Sequence, residues 1–350
     1  AITLAALKAL EIYKDPNLLI LSSDHQIDDE EKFLEVVKKS FEYSEKGKLI
    51  TFGIIPTSPE IGYGYIKAAK ELDRTEIRGS EVERFIEKPD KQNAEIFLKD
   101  KRFTWNSGIF MFKSSSILKE VKKFSPEIIK ICKESLNKSS YDLEFQRLDK
   151  DSFSMCPNLS IDVAVMEKTK NAFVLPLEAG WSDVGSWDFV WNISKKDTNG
   201  NVISGNVFEI KTSNSYLNSQ DRLVAAIGIN NLIVVDTSDA ILIANKNYSQ
   251  EVKNIVNLMK NKNIIQGTEH QKCYRPWGTY QSLVLEKNWQ VKLINVKSGE
   301  KLSLQKHKYR SEHWIVVSGT AKVEVDGKEM ILNENESSYI PLGMKHRLSN

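Results

Sequence analysis

No uninterrupted apolar run among the 350 residues approaches the roughly 20 that a membrane-spanning helix needs, so no helical membrane span is expected. Cysteine is scarce. Cys132, Cys156 and Cys273 are scattered and odd in number, which fits neither a disulfide framework nor a zinc pattern and reads as reduced thiols in a cytoplasmic protein. Net charge is nearly absent as well: 49 basic and 47 acidic residues are well mixed and leave a formal charge of +2. That balance offers no surface for nucleic acid or membrane. There is no basic leader before an apolar stretch, as a signal peptide requires. There is no initiator Met either, and residues 1–7 already have the pattern of the inside of an amphipathic helix, as expected of a fragment.

A length of 350 residues exceeds what one hydrophobic core usually serves, so two or three domains are expected. Over 1–195 the pattern alternates helix and strand. A helix to about residue 10 leads into a buried strand over 18–21, a helix spans about 30–46, and a strand covers 49–54. Taken alone, such alternation predicts a parallel sheet flanked by helices, with ligands beyond the carboxyl ends of the strands, where Asp24 falls. The texture changes over 196–265. Short β-rich runs at 222–227, 232–235 and 240–244 recur roughly every nine residues, as in a small all-β or β-helical unit, and a charged helix follows over about 250–260. Over 266–350, runs at 289–296, 312–317, 321–325 and 338–340 read as strands of a β-barrel.

Several short runs in the first segment carry polar chemistry at element ends. Asp24 closes the first strand. Gly62-Tyr63-Gly64-Tyr65 puts two glycines among aromatics, where backbone can approach a ligand closely. Glu87-Lys88-Pro89-Asp90 sets a carboxylate beside an ammonium, Trp105-Asn106-Ser107-Gly108 brings an amide to a glycine turn, and Trp181-Ser182-Asp183-Val184-Gly185 carries an acid in a tight loop. Each has an ordinary reading: a turn with packed aromatics, a solvated loop, or, for Asp183, a helix cap.

The last fifty or so residues are denser in signal. Gly299 to Gly319 reads G-x5-Q-x-H-x4-E-x6-G, and P-x-G-x2-H-x3-N follows from Pro341 to Asn350. Gln305, His307, Glu312 and His346 offer a mixed nitrogen and oxygen set suited to a borderline divalent ion such as zinc, cobalt or manganese. Positions 305 and 307 share a parity, so on one strand both would face the same interior. The pattern resembles a cupin metal site. The chain stops on the last motif residue, so an incomplete barrel is expected.

Together with Ser160-Ile161-Asp162-Val163-Ala164-Val165, these runs closely resemble bacterial mannose-1-phosphate guanylyltransferases of the bifunctional kind, which also carry a mannose-6-phosphate isomerase domain. The resemblance covers essentially the whole chain. It implies an α/β fold, with a nucleotidyltransferase-like mixed sheet and flanking helices over 1–195. A small β-helical unit with a linker helix would occupy 196–265 and a partial cupin barrel 266–350. It also implies roles. Asp24, Lys88 and Asp183 would be catalytic, with Asp24 and Asp183 holding Mg²⁺ between GTP and mannose 1-phosphate and Lys88 pairing with the sugar phosphate. Gly64, Tyr65, Glu87, Asn106 and Asp162 would bind the sugar. In the cupin, Arg310 would meet the phosphate of mannose 6-phosphate beside a metal on Gln305, His307, Glu312 and His346. A homo-oligomer is expected.

The chain departs from the family in places. The family's Gly-rich nucleotide loop in the first βα unit, with an Arg and a Lys nearby, has no counterpart, so contacts to guanine and triphosphate are not assigned and the chain by itself is expected to transfer no guanylyl group. Ile61 stands where the family has Thr, and Lys308 and Tyr309 where it often has His. Two other readings compete: a sugar-phosphate isomerase whose first domain is a scaffold, and a non-catalytic sugar-phosphate-binding protein. Asp24, Lys88 and Asp183 together favour the transferase, because a scaffold needs no acidic groups at strand ends.

Overall fold

The computed structural model of the chain describes residues 1–142 and 145–350, which form two units, Ala1–Gly185 and Ser186–Asn350. No helix among the described residues is long and apolar enough to cross a membrane.

The first unit begins with α1 (Ile2–Ile12), β1 (Asn17–Ile20), β2 (Gln26–Ile27), α2 (Glu30–Ser44), β3 (Leu49–Ile54), β4 (Tyr65–Ala68) and β5 (Ser80–Ile86). It continues with α3 (Lys91–Lys99), β6 (Phe103–Lys113), α4 (Ser114–Phe124), α5 (Pro126–Asn137), β7 (Ser140–Asp142), β8 (Phe145–Arg147) and α6 (Lys150–Ser154). A π-helical turn (Asp162–Met166), β9 (Ala172–Leu177) and β10 (Trp181–Ser182) complete it. Local chemistry sets the ends: Asp29 caps α2 by accepting from the Lys32 amide, and Asp90 caps α3 through Asn93.

Six strands form one sheet in the order β1-β6-β3-β9-β5-β4. The parallel sheet predicted from alternation is corrected here, because only β3 and β9 run parallel in it and every other pairing is antiparallel. The mixed sheet implied by the resemblance is the one found. The physical reason is β6, a long strand that returns against both β1 and β3 and also meets β4.

Strand β3 is buried along its whole length, so successive side chains feed two cores. Ile50, Phe52 and Ile54 pack with Phe33, Val36 and Val37 of α2 and Ala94 of α3. Leu49 joins Phe110 and Phe112 of β6 with Ala6 of α1, Ile117 and Val121 of α4, and Ile128 and Cys132 of α5. Each fully buried large side chain contributes about 1.5–3 kcal/mol, which fixes β3 and β6 as the rigid floor under the loops.

In the second unit, α7 (Trp187–Ile193) is followed by β11 (Val202–Ile210), β12 (Tyr216–Ile227), β13 (Leu232–Asp236) and β14 (Ile241–Asn245). Strands β11, β12 and β13 pair in parallel and β14 closes antiparallel, as stacked coils of a β-helix do. Val202, Tyr216, Ile233 and Val235 form its core with Trp187, Val190 and Trp191 of α7. Helix α8 (Val252–Asn261) leads to β15 (Lys272–Arg275), β16 (Gly278–Leu285), β17 (Gln290–Val296) and β18 (Glu312–Ile315). Last come β19 (Ala321–Val325), β20 (Lys328–Leu332), β21 (Ser337–Ile340) and β22 (His346–Ser349). These pair antiparallel in three small sheets, β15-β16-β17, β18-β21 and β20-β19-β22, a partial cupin-like region.

Candidate functional site

Three strand ends bring the sugar-type residues together. In the register of β4 with its neighbours, Tyr65 lies opposite Ile86 of β5 and Trp105 of β6. One step back along β4, Gly64 therefore falls beside Glu87 and Asn106. The Gly64 carbonyl accepts from the Asn106 amide at 2.8 Å. A Cβ at residue 64 would lie 2.8 Å from Glu87 Oε2, so the carboxylate rests over bare backbone. Asn106 Nδ2 donates to Asp162 Oδ1 at 2.8 Å, while its Oδ1 accepts from the Gly108 amide. Lys88 Nζ is 3.6 Å from Glu87 Oε1, with both side chains more than half exposed. The Lys88 backbone is left-handed at φ 44°, an uncommon conformation for a residue with a side chain.

A two-residue ladder positions the acidic pair. Strand β10 pairs antiparallel with β2, Trp181 opposite Ile27 and Ser182 opposite Gln26, so the two chains leave it with Asp183 on one side and His25 and Asp24 on the other. Asp183 Oδ1 accepts from Tyr63 Oη at 2.9 Å and from the Gly185 amide at 3.1 Å. Its Oδ2 would lie 2.7 Å from a Cβ at residue 185, so a side chain there would displace the carboxylate. Val184 between them is also left-handed, at φ 47°, where a β-branched residue is strained. Asp183 thus orients its own loop and does not cap a helix; the next helix starts at Trp187 with Ser186 at its cap position.

The second unit gathers a different set. His307, Glu312 and His346 present ligand-type atoms all within 4.8 Å of one another. His307 Nε2 is 3.0 Å from Glu312 Oε1, and His346 Nε2 is 3.6 Å from Glu312 Oε2. His346 is buried, and its Nε2 has no hydrogen-bond partner among the described residues. Its Nδ1 lies 3.0 Å from the Met344 carbonyl, which makes Nδ1 the protonated nitrogen and leaves Nε2 with its lone pair. Trp314 Nε1 donates to Glu312 Oε2 at 3.0 Å, fixing the carboxylate. Burial pushes the Glu312 carboxyl up, but Arg310, His307 and Trp314 outweigh it and hold it below its usual range. Burial, and then the Arg310 charge, hold the His307 imidazole below its usual range against the pull of Glu312. An orphaned imidazole nitrogen, a second neutral imidazole and an ionised carboxylate form a donor set that fits a divalent ion.

The chain matches the nucleotidyl transferase family over residues 1–200, the mannose-phosphate isomerase/GMP-like beta-helix domain over 205–259 and the mannose-6-phosphate isomerase C-terminal family over 260–350. It is 48% identical over 353 residues to the mannose-1-phosphate guanylyltransferase of Salmonella montevideo, covering 100% of this chain and 74% of that protein. The chain belongs to the mannose-1-phosphate guanylyltransferase family. The xanthan biosynthesis protein XanB of Xanthomonas campestris pv. campestris (strain B100) is 47% identical over 350 residues, with 100% of this chain and 74% of that protein covered. Among solved structures, that of a mannose-1-phosphate geranyltransferase from Thermus thermophilus is similar with a TM-score of 0.63 at 27% identity, covering 74% of each chain.

For a guanylyltransferase-family chain, the structure brings Gly64, Glu87, Asn106 and Asp162 into one group and His307, Glu312 and His346 into another, while Asp24 and Asp183 each lie just beyond the ladder of β2 and β10. Three expectations change. Tyr65 is fully buried, its ring 5.3 Å from that of Phe97, so its side chain belongs to the core and faces away from Gly64's neighbours. Residues 305–307 form no strand; Gln305 makes only an isolated bridge with His346, which still sets the two on one face because directly opposed residues share it. Arg310 does not stand apart as a phosphate anchor: its guanidinium lies 2.9 Å from Glu312 Oε1 and 2.8 Å from His307 Nε2. Sequence reasoning left Tyr63, His25 and Trp181 without roles, although all three lie inside the quoted runs or next to Asp24.

Proposed function

We propose that this chain serves guanylyl transfer from GTP to mannose 1-phosphate, giving GDP-mannose and pyrophosphate. The observation that supports it is the convergence of Gly64, Glu87, Asn106 and Asp162 on one sheet end, in the unit that also carries the Asp24–Asp183 pair. Carboxylates and an amide suit pyranose hydroxyls because each carboxylate accepts more than one hydrogen bond. Glu87, Asn106 and Asp162 orient the ring, and Gly64 leaves space where a side chain would collide with Glu87. Lys88 neutralises the sugar phosphate as one of its oxygens attacks the α-phosphorus. The bond from that phosphorus to the bridging oxygen then breaks, and pyrophosphate leaves. Asp24 and Asp183 fit a hard cation by donor type, since Asp183 Oδ2 has no partner among the described residues and phosphate oxygens complete such a site. Bound there, Mg²⁺ supplies charge neutralisation between the two phosphate groups. The functional partition 1–195, 196–265 and 266–350 is part of this reading, supported by the three family matches. So is the homo-oligomer, supported by exposed Phe208, Ile210 and Ile227 on β11 and β12.

Calorimetric titration with mannose 1-phosphate tests the sugar site. Glu87→Gln and Asp162→Asn should each weaken binding about 10-fold or more, the worth of a charge-assisted hydrogen bond. Unchanged affinity in both variants would overturn the assignment.

A second activity is favoured by the His307, Glu312 and His346 cluster: metal-dependent interconversion of mannose 6-phosphate with its ketose isomer. A bound zinc, cobalt or manganese ion would supply Lewis-acid polarisation of the sugar carbonyl. His307, Glu312 and His346 would hold it, with Gln305 on the same face. Metal analysis after dialysis should find one equivalent in the parent and none in His346→Ala.

A further inference from the structure

Tyr63 lies between the two glycines of the sugar loop, yet its hydroxyl is directed at the acidic pair. Its ring meets Trp105 at 5.2 Å and Trp181 at 5.5 Å, both edge-on, and Tyr63 Oη donates to Asp183 Oδ1 at 2.9 Å. Trp181 in turn donates from Nε1 to His25 Nδ1 at 3.1 Å, and the His25 ring meets it edge-on at 5.2 Å. Three rings from three loops are therefore joined. One belongs to the glycine loop, one to the Asp183 loop, and one directly follows Asp24. With Trp181 donating to Nδ1, the neutral His25 ring carries its proton on Nε2.

The effect on Asp183 is specific. Tyr63 and the Gly185 amide both donate to Oδ1, which fixes the carboxylate plane, while Oδ2 accepts from none of the described residues. A ligand oxygen is thereby presented at fixed orientation. Outer hydrogen bonds of this kind commonly set metal affinity within about 10- to 100-fold.

We infer that Tyr63 is a positioning residue that couples sugar-phosphate binding on the Gly62–Gly64 loop to cation binding at Asp24 and Asp183. The inference rests on the reading of Asp24 and Asp183 as cation ligands given above. A sugar that settles on Gly64 restrains the loop carrying Tyr63, and the phenol passes that restraint to Asp183. Linkage then requires the converse, that a bound cation tightens the sugar phosphate by the same factor.

The test uses Mn²⁺ as the probe, with the free ion counted by electron paramagnetic resonance. All chains carry His346→Ala, so that the second cluster does not bind the probe. In the otherwise unaltered chain, mannose 1-phosphate should tighten Mn²⁺. Tyr63→Phe, which keeps the ring and its packing, should weaken Mn²⁺ about 10-fold with mannose 1-phosphate present and remove the tightening. Its affinity for mannose 1-phosphate without metal should not change. Adding Tyr63→Phe to Asp183→Asn should cause no further loss, because the phenol acts through that carboxylate. Tyr63→Phe binding Mn²⁺ as tightly as the parent, while Asp183→Asn binds it weakly, would overturn the role of Tyr63 alone. A fall in metal-free sugar-phosphate affinity would mark a packing defect and overturn it too. Equal Mn²⁺ binding by parent, Tyr63→Phe and Asp183→Asn would overturn the cation-ligand reading itself, and the coupling with it.

Discussion

The Glu87 carboxylate lies over the α-carbon of Gly64, so close that a methyl group there would stand 2.8 Å from Oε2. The obstructing atom is the far end of a flexible side chain, which decides how a substitution is felt. Gly64→Ala should displace Glu87 at little cost to the fold, within about 1 kcal/mol, and lower mannose 1-phosphate affinity about 10-fold or more. Thermal melting beside calorimetric titration separates the two effects. An unstable variant with normal affinity would show that Glu87 has no part in sugar binding.

Glu120 makes the opposite prediction. This carboxylate on α4 is buried and accepts from Thr169 Oγ1 at 2.7 Å and Asn171 Nδ2 at 3.0 Å, tying the helix to the turn before β9. Glu120→Ala strands the buried Thr169 hydroxyl, at about 1–3 kcal/mol, and loses the tie to Asn171, whose exposed amide turns to solvent. Denaturant unfolding should show a loss of about 2–4 kcal/mol, with sugar-phosphate affinity intact in the fraction that remains folded.

Cys132 supplies a pH dependence. Burial, reinforced by the neighbouring Cys156 thiol, pushes its thiol from 9.0 up to about 11. The folded state therefore holds this proton more tightly than the unfolded chain does. Its contribution to stability is present below 9.0 and is lost as pH rises towards about 11. Alkylation by iodoacetamide should spare Cys132 at neutral pH in the folded chain and label it rapidly once the chain is unfolded, as peptide mass mapping would show. Labelling at equal rates in both states would contradict the burial.

Much of this architecture was legible in the residues. The strand read over 49–54 is Leu49–Ile54, the helix read over about 30–46 is Glu30–Ser44, and the run at 321–325 is Ala321–Val325. Strong periodicity marks such elements because each buries a defined face. Strand direction was not legible from alternation, since that pattern does not say whether a strand returns beside its neighbour, as β6 does beside β3. Strand Val202–Ile210 went unread because Gly205 and Asn206 interrupt its apolar pattern at the point where its register with β12 shifts.

The candidate site divides in the same way. Asp24, Glu87, Asn106, Asp162 and Asp183 are singled out by the family resemblance of the short runs that carry them, because each run alone also reads as a turn, a solvated loop or a cap. Tyr65 was misjudged, although the two-residue period of a strand already sets it on the face opposite Gly64. Tyr63 was passed over because a tyrosine between glycines reads as packing until the direction of its hydroxyl is known.

The ladder of β2 and β10 is only two residues long, yet its strands come from opposite ends of the first unit, and Trp181 reaches His25 across 156 residues of chain. A contact so distant in sequence forms late, since the intervening chain must be ordered before closure is rewarded. During synthesis β2 emerges first and waits for β10. The two acids are therefore kept apart on the nascent chain until nearly all of the first unit has left the ribosome, so a partly made protein cannot assemble the pair.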